Sequence, residues 1–291
     1  MNVYDTITAR IMDQLEQGTI PWQQPWNSTT GLPCNLLSQK AYRGINVWLL
    51  GSAGYASPYW LTYKQAREIG GHVNKGEHGT PVLFWKWLDT KEEEHGEDAS
   101  TRQPKHVPVA RMYTVFNVYQ CELPARLQPL LTPENTQETA EHQKIAECEQ
   151  ILASMPQRPA IEHREARAYY RPSSDMVNMP APELFTQAAA YYSTLFHELT
   201  HSTGHTSRLD RPTLKDLLAF GDTNYSKEEL CAEMGAAYLC GVAGIANATV
   251  DNSAAYIQGW LGRLRNDTKL LVQAAAQAQK AADFILGMNE Q

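Results

Sequence analysis

The chain has 291 residues, more than one average domain needs, so two domains are the first expectation. A hydrophobic content of 43% supplies a core, and the absence of any run of about 18 apolar residues argues against a membrane span or membrane partner; with no signal-like N-terminus, a cytoplasmic location is expected. Five scattered cysteines without a C-x-x-C pair exclude a disulfide framework and a cysteine zinc site, and the net charge of -7 weighs at first sight against nucleic acid.

Val3, Ile7, Ile11 and Leu15 recur at spacing four and predict an amphipathic helix that Gly18 ends. Residues 20–26, with Pro21 and Pro25, read as an irregular arm. Helices are predicted over 45–50 and 63–69, the second capped by Thr62 and stopped by Gly70 and Gly71. Residues 81–88 and 107–121 are rich in Val, Phe, Trp and Tyr and predict two strands. The polar stretch between them, with Glu92, Glu93 and Glu94, reads as a hairpin loop. The proline-bearing segment 129–136 is the expected linker between a first domain, 1–128, and a second, 137–291. Beyond it, helices are expected over 138–155, 227–242, 253–265 and 269–286, with a strand near 168–179. The fold class is α+β: an N-terminal α+β domain followed by a mainly helical domain with a small sheet.

His197-Glu198-Leu199-Thr200-His201 carries the sharpest chemical signal. Residues four apart on a helix differ by only about 40° in direction, so the two imidazoles project side by side and can hold one metal ion. Glu198 lies about 100° around from His197, where a general base takes a proton from a metal-activated water. Tyr192, Leu195, Phe196 and Leu199 form the opposite, core-seeking face, and Gly204 is expected to stop the helix. The bland alternative is a pair of unrelated histidines. A catalytic site needs a third protein ligand. His205 is one candidate, but it falls past the helix end. The other lies on the helix holding Glu229 and Glu233, which share a face; Glu229 is expected as the ligand and Glu233 as the acid that orients a histidine, with the reverse assignment open. Zinc is the expected ion, although a His/His/Glu set accepts manganese or cobalt as well. The segment Arg171–Asn178 is expected to bind an extended peptide by edge pairing.

These motifs sit in a longer pattern. Tyr191 through His205, followed by Arg208-Leu209-Asp210-Arg211 and by Glu228-Glu229-Leu230 with Gly235-Ala236-Ala237, resembles the antirestriction proteins of the ArdC type. So do Gly18-Thr19-Ile20-Pro21-Trp22, Tyr42-Arg43-Gly44-Ile45-Asn46 and Lys75-Gly76-Glu77-His78-Gly79-Thr80. The resemblance implies an N-terminal domain that binds single-stranded DNA, joined to a zincin metallopeptidase-like domain. It also implies protection of incoming plasmid DNA from host restriction during conjugation, with an unidentified protein substrate.

The first half has the composition that such binding requires. Six of the seven tryptophans fall in its first 87 residues, and outside the acidic run Asp89–Asp98 residues 1–128 hold 11 basic against 6 acidic residues. Single strands are held by aromatic stacking and backbone neutralisation. Trp22, Trp26, Lys40, Tyr42, Arg43, Lys64, Arg67, Lys75 and Trp85 are the candidates, set against the ordinary use of tryptophan to fill a core. Trp85 and Trp87 share a strand face and are expected to be both buried or both exposed. Two further readings stand beside the leading one. The protein masks DNA and its metal site is structural or silent, or it is a metal-dependent nuclease, for which two histidines and a glutamate are an unusual set.

Overall fold

The computed structural model describes residues 2–22, 32–90, 105–127, 141–215, 223–245 and 254–288. The expected linker 129–136, the acidic residues 92–98 and Trp26 lie outside them.

Helix α1 (Val3–Glu16) starts at a capping box between Asn2 and Asp5, and Gly18, at φ +79°, turns the chain out of it. Ile7, Ile11 and Leu15 are buried along one stripe, each contributing about 1.5–3 kcal/mol by its removal from water. Strand β1 (Cys34–Asn35) and helix α2 (Ile45–Gly51) follow. Next come β2 (Tyr59–Thr62), α3 (Tyr63–Glu68), β3 (His72–Val73), the long pair β4 (Thr80–Thr90) and β5 (Lys105–Asn117), and β6 (Cys121–Glu122). The predicted cap on α3 is present, with Thr62 and Gln65 bonded reciprocally. β4 and β5 form an antiparallel hairpin from the Thr80/Val115 pair to the Thr90/Lys105 pair. The main sheet has the order β1-β2-β5-β4, with β1 parallel to β2, and β3 pairs with β6.

The second region holds α4 (Glu141–Ser154), the strands β7 (Ala160–Glu162), β8 (Tyr169–Arg171) and β9 (Met176–Asn178), and the helices α5 (Ala188–Ser202), α6 (Pro212–Lys215), α7 (Thr223–Ala243), α8 (Ala254–Asn266) and α9 (Leu270–Ile285). The small sheet has the order β7-β9-β8. This corrects one expectation. Residues 172–174 are a 3-10 turn and β9 is paired on both sides, so of Arg171–Asn178 only Arg171, the last residue of β8, lies on an edge strand; the edges are β7 and β8.

α7 is buried along most of its length, with α5 and α9 packed on it. One continuous apolar cluster takes in α4, α5, α7, α8 and α9 together with α1, Trp22, α2 and Leu83. The first region therefore contributes directly to the core that positions the histidine helix. No helix among the described residues is long and apolar enough to cross a membrane.

Candidate metal centre and aromatic groove

α5 presents two faces. Tyr192, Leu195, Phe196 and Leu199 are buried as the sequence pattern requires, which turns His197 and His201 towards α7. The crossing of α5 and α7 is unusually close. A Cβ on Gly235 would meet the Thr200 side chain at 2.4–2.6 Å, so only glycine fits there. That approach brings Glu229, less than two turns earlier on α7, to the histidine pair.

His197 Nε2 and His201 Nε2 are 3.1 Å apart, and the Glu229 carboxylate lies 3.6 Å from the first and 3.5 Å from the second. A tetrahedral ion held at ordinary zinc–nitrogen lengths needs donor atoms about 3.3 Å apart. The three side chains thus fit one divalent ion without rearrangement. Glu198 is buried on the next face of α5 and adds its negative field to His201.

Burial alone would lower the His201 pKa, but Glu229, Glu228 and Glu198 outweigh it and lift the value to about 9. Burial raises Glu229, yet His201 and His197 hold it below the ordinary carboxylate range. Glu228 is fully buried, and His201 and Arg211 overcome that burial to keep its carboxyl far below the usual range.

The other sequence candidates fall elsewhere. His205 lies past the helix end with Nδ1 engaged by Ser207, and it is not among the converging donors. Glu233 is also outside the set. Its carboxylate accepts from the Trp22 indole at 2.9 Å and from the Tyr256 hydroxyl, and burial pushes its pKa up to about 7. The acid that contacts a metal-site imidazole is instead Glu228, 3.4 Å from His201 Nδ1. Spacing missed it because it points a different way from Glu229. Gly204 follows the Thr203 cap, where the helix was expected to stop, and it has a second role: a Cβ there would press on the Arg211 guanidinium at 3.0–3.1 Å.

A second concave feature lies on the first region, a groove of about 760 Å³. Lys40, Tyr42, Arg43 and Trp85 line it, joined by Lys86, another basic residue interleaved with the tryptophans, and by Phe84 and Tyr113, which carried no separate signal in the sequence. Phe84 stacks edge-on against Tyr113 at 5.7 Å. Trp85 and Trp87 are both exposed, at 50% and 64%, because the hairpin projects beyond the core. Lys64, Arg67 and Lys75 are exposed but do not line the groove, and Lys64 pairs with Glu68 at 3.5 Å. Trp22 must be corrected. It is fully buried, edge-on to Trp260 at 5.9 Å, so it packs rather than stacks on a ligand. Tyr42, although it lines the groove, is itself mostly buried.

A helix bearing two histidines that meet a glutamate from the next long helix, beside a small three-stranded sheet, defines a zincin-like metallopeptidase domain, and residues 146–277 match the family model of that description. Residues 1–116 match the model for the N-terminal domain of anti-restriction factor ArdC. Two crystal structures of the antirestriction ArdC protein from plasmid R388, one metal-free and one with Mn(II) bound, are 37% identical in sequence. They align with TM-scores of 0.74 and 0.75 over 98% of this chain and 97% of theirs. The uncharacterized protein y4eC of Sinorhizobium fredii (strain NBRC 101917 / NGR234) is 36% identical over 98% of this chain and 91% of its own length. A DNA primase TraC of Escherichia coli is 36% identical over 99% of this chain, which spans 27% of the primase. The chain belongs to the ArdC family of antirestriction proteins.

Proposed function

We propose that the chain shields incoming plasmid DNA by binding it as a single strand and by hydrolysing protein at the His197/His201/Glu229 centre, in the cytoplasm. The division of labour follows the regions 1–128 and 137–291. The convergence of three donor atoms beside Glu198 carries the reading, since a purely structural ion has no need of that fourth acid. A divalent ion there, zinc or alternatively manganese or cobalt, supplies Lewis acidity that makes water a stronger acid and polarises a carbonyl. The Mn(II) in the R388 relative supports a divalent ion. Glu198 accepts the proton of the attacking water and returns it to the leaving amine. His197, His201 and Glu229 keep the donor set in place, and the α5/α7 packing keeps it dry on the core side.

DNA binding is supported by the groove, where Trp85, Phe84 and Tyr113 offer stacking surfaces beside Lys40, Arg43 and Lys86. Lys64, Arg67 and Lys75 add exposed positive charge near it in sequence. Trp85→Ala should weaken single-strand binding by about 1–3 kcal/mol while its steep salt dependence persists. Unchanged affinity, or a preference for duplex, sinks the groove assignment. Glu198→Ala should bind Mn(II) and Zn(II) as the parent does yet lose DNA-dependent proteolysis, self-cleavage included. Loss of the metal as well would overturn its role as base. If Glu198→Ala still protects DNA fully in conjugation, the masking reading replaces the peptidase one.

A further inference from the structure

We infer that Arg211 and Glu228 are positioning residues for the metal ligand His201, fixing both its backbone and the nitrogen it presents. The inference rests on the reading of His197, His201 and Glu229 as a metal set. Glu228 immediately precedes Glu229 on α7, but its side chain is fully buried on the far side of the His201 ring, with Oε1 3.4 Å from Nδ1. Both of its oxygens are occupied by donors. Arg211 Nη2 reaches Oε1 at 2.5 Å, Arg211 Nε reaches Oε2 at 3.1 Å, and Thr213 donates to Oε2 at 2.5 Å. A carboxylate only accepts, so His201 Nδ1 carries a hydrogen in either charge state, and once the ring gives up its other proton it is Nε2 that turns a lone pair towards His197 and Glu229.

Arg211 holds the same residue from the other end. Its Nη2 donates to the main-chain carbonyls of Thr200, at 2.8 Å, and His201, at 3.3 Å, while Nη1 donates to Thr203 at 2.5 Å. The guanidinium, itself 3% exposed, thus grips the end of α5 and the acid that grips the ring. A buried ion pair is a poor source of stability on its own, since apolar residues of similar volume often serve as well or better. Its use here is orientation. Such outer partners usually tune metal affinity about 10- to 100-fold.

The test uses the full chain and two ions, Mn(II) and Co(II), read by competition titration and, for cobalt, by its absorption spectrum. Thermal unfolding of each metal-free variant serves as the fold control. Glu228→Gln cannot keep both oxygens as acceptors, because the new NH2 faces Arg211 in either orientation, together with His201 in one and with Thr213 in the other. It should weaken both ions about 10- to 100-fold and shift the cobalt bands. The double variant Arg211→Met with Glu228→Met removes both charges together, so it should unfold near the parent temperature and still bind weakly. A pair that merely stabilises the fold predicts the opposite: a folded variant with metal affinity within twofold of the parent and unchanged bands, which overturns the inference. If Glu228→Gln or the double variant does not fold, Thr213→Val, which deletes only the outermost hydrogen bond, must show a smaller loss in the same direction. A parent chain that takes up neither ion removes the metal reading itself. A parent that binds while Glu228→Gln matches it removes this inference alone.

Discussion

His201 is ringed by three carboxylates, those of Glu198, Glu228 and Glu229, and their field decides its protonation when no cation is present. A histidine raised from 6.5 to about 9 stabilises the folded state fully below pH 6.5, and that contribution is lost as the pH climbs through 9. Chelator-treated protein should therefore lose thermal stability between these values, and His201→Gln should lack that component. A flat profile across the window for the parent would defeat this account. Filling the site with a divalent cation replaces the proton, so loading at pH 7.5 should release about one proton and flatten the slope. Calorimetry in two buffers of different ionisation enthalpy measures the release. Of the residues in this cluster, the motif and the i, i+4 spacing revealed His197, His201, Glu198 and Glu229. Glu228 and Arg211 stand in the recognised motifs, but their role was hidden because a buried charge is recognisable only once its partner is in view, and they lie 17 residues apart.

At the level of elements, the close crossing of α5 and α7 sets the separation of the three converging donors. Gly235→Ala should force the helices apart against the Thr200 side chain, with a cost of about 1–3 kcal/mol and weaker metal uptake. Thr200→Ala in the same chain should restore part of both, as read by unfolding and by Mn(II) titration; no recovery would place the effect elsewhere. The helices themselves were legible from the sequence, since apolar spacing, Thr62 and Gly18 act locally and agree with the packing. The hairpin β4–β5 was legible for the same reason. Strands β1, β3 and β6 were not, because two residues carry no alternation and depend wholly on distant partners. The small sheet failed in order rather than in place: nothing local in Met176–Asn178 announces that it is central, and only its pairing with both β7 and β8 makes it so. Trp22 was misassigned because aromatic composition is the same whether a ring faces solvent or core.

Across the whole molecule, the two regions that the family models match separately are not separate in packing. Ile7, Ile11, Leu15, Ile20 and Trp22 are each at most 5% exposed and belong to the same cluster as α7, α8 and α9. Polar contacts cross as well: the Thr8 hydroxyl donates to the Thr268 carbonyl, Tyr238 donates to the Gly44 carbonyl, and Arg43 of the groove pairs with Asp283 of α9. Burial of five such side chains contributes roughly 8–15 kcal/mol, comparable with the entire net stability of an ordinary domain. Residues 137–291 expressed alone should therefore lack a cooperative unfolding transition and bind Mn(II) poorly, even though every proposed metal ligand is present. A sharp transition with the affinity of the full chain would refute this. The Trp22 indole gives the coupling a specific route, since it bonds Glu233 one turn beyond Glu229, the proposed ligand. Trp22→Phe keeps an aromatic ring but removes the indole donor from a buried acceptor, at an expected cost of about 1–3 kcal/mol, and adds the cost of the cavity left by the missing ring. If the arm serves only as filler, that variant will lose stability yet keep the parent's metal affinity; if it braces the centre, both will fall together, and the first region will be a structural part of the site that nothing local in its residues announces.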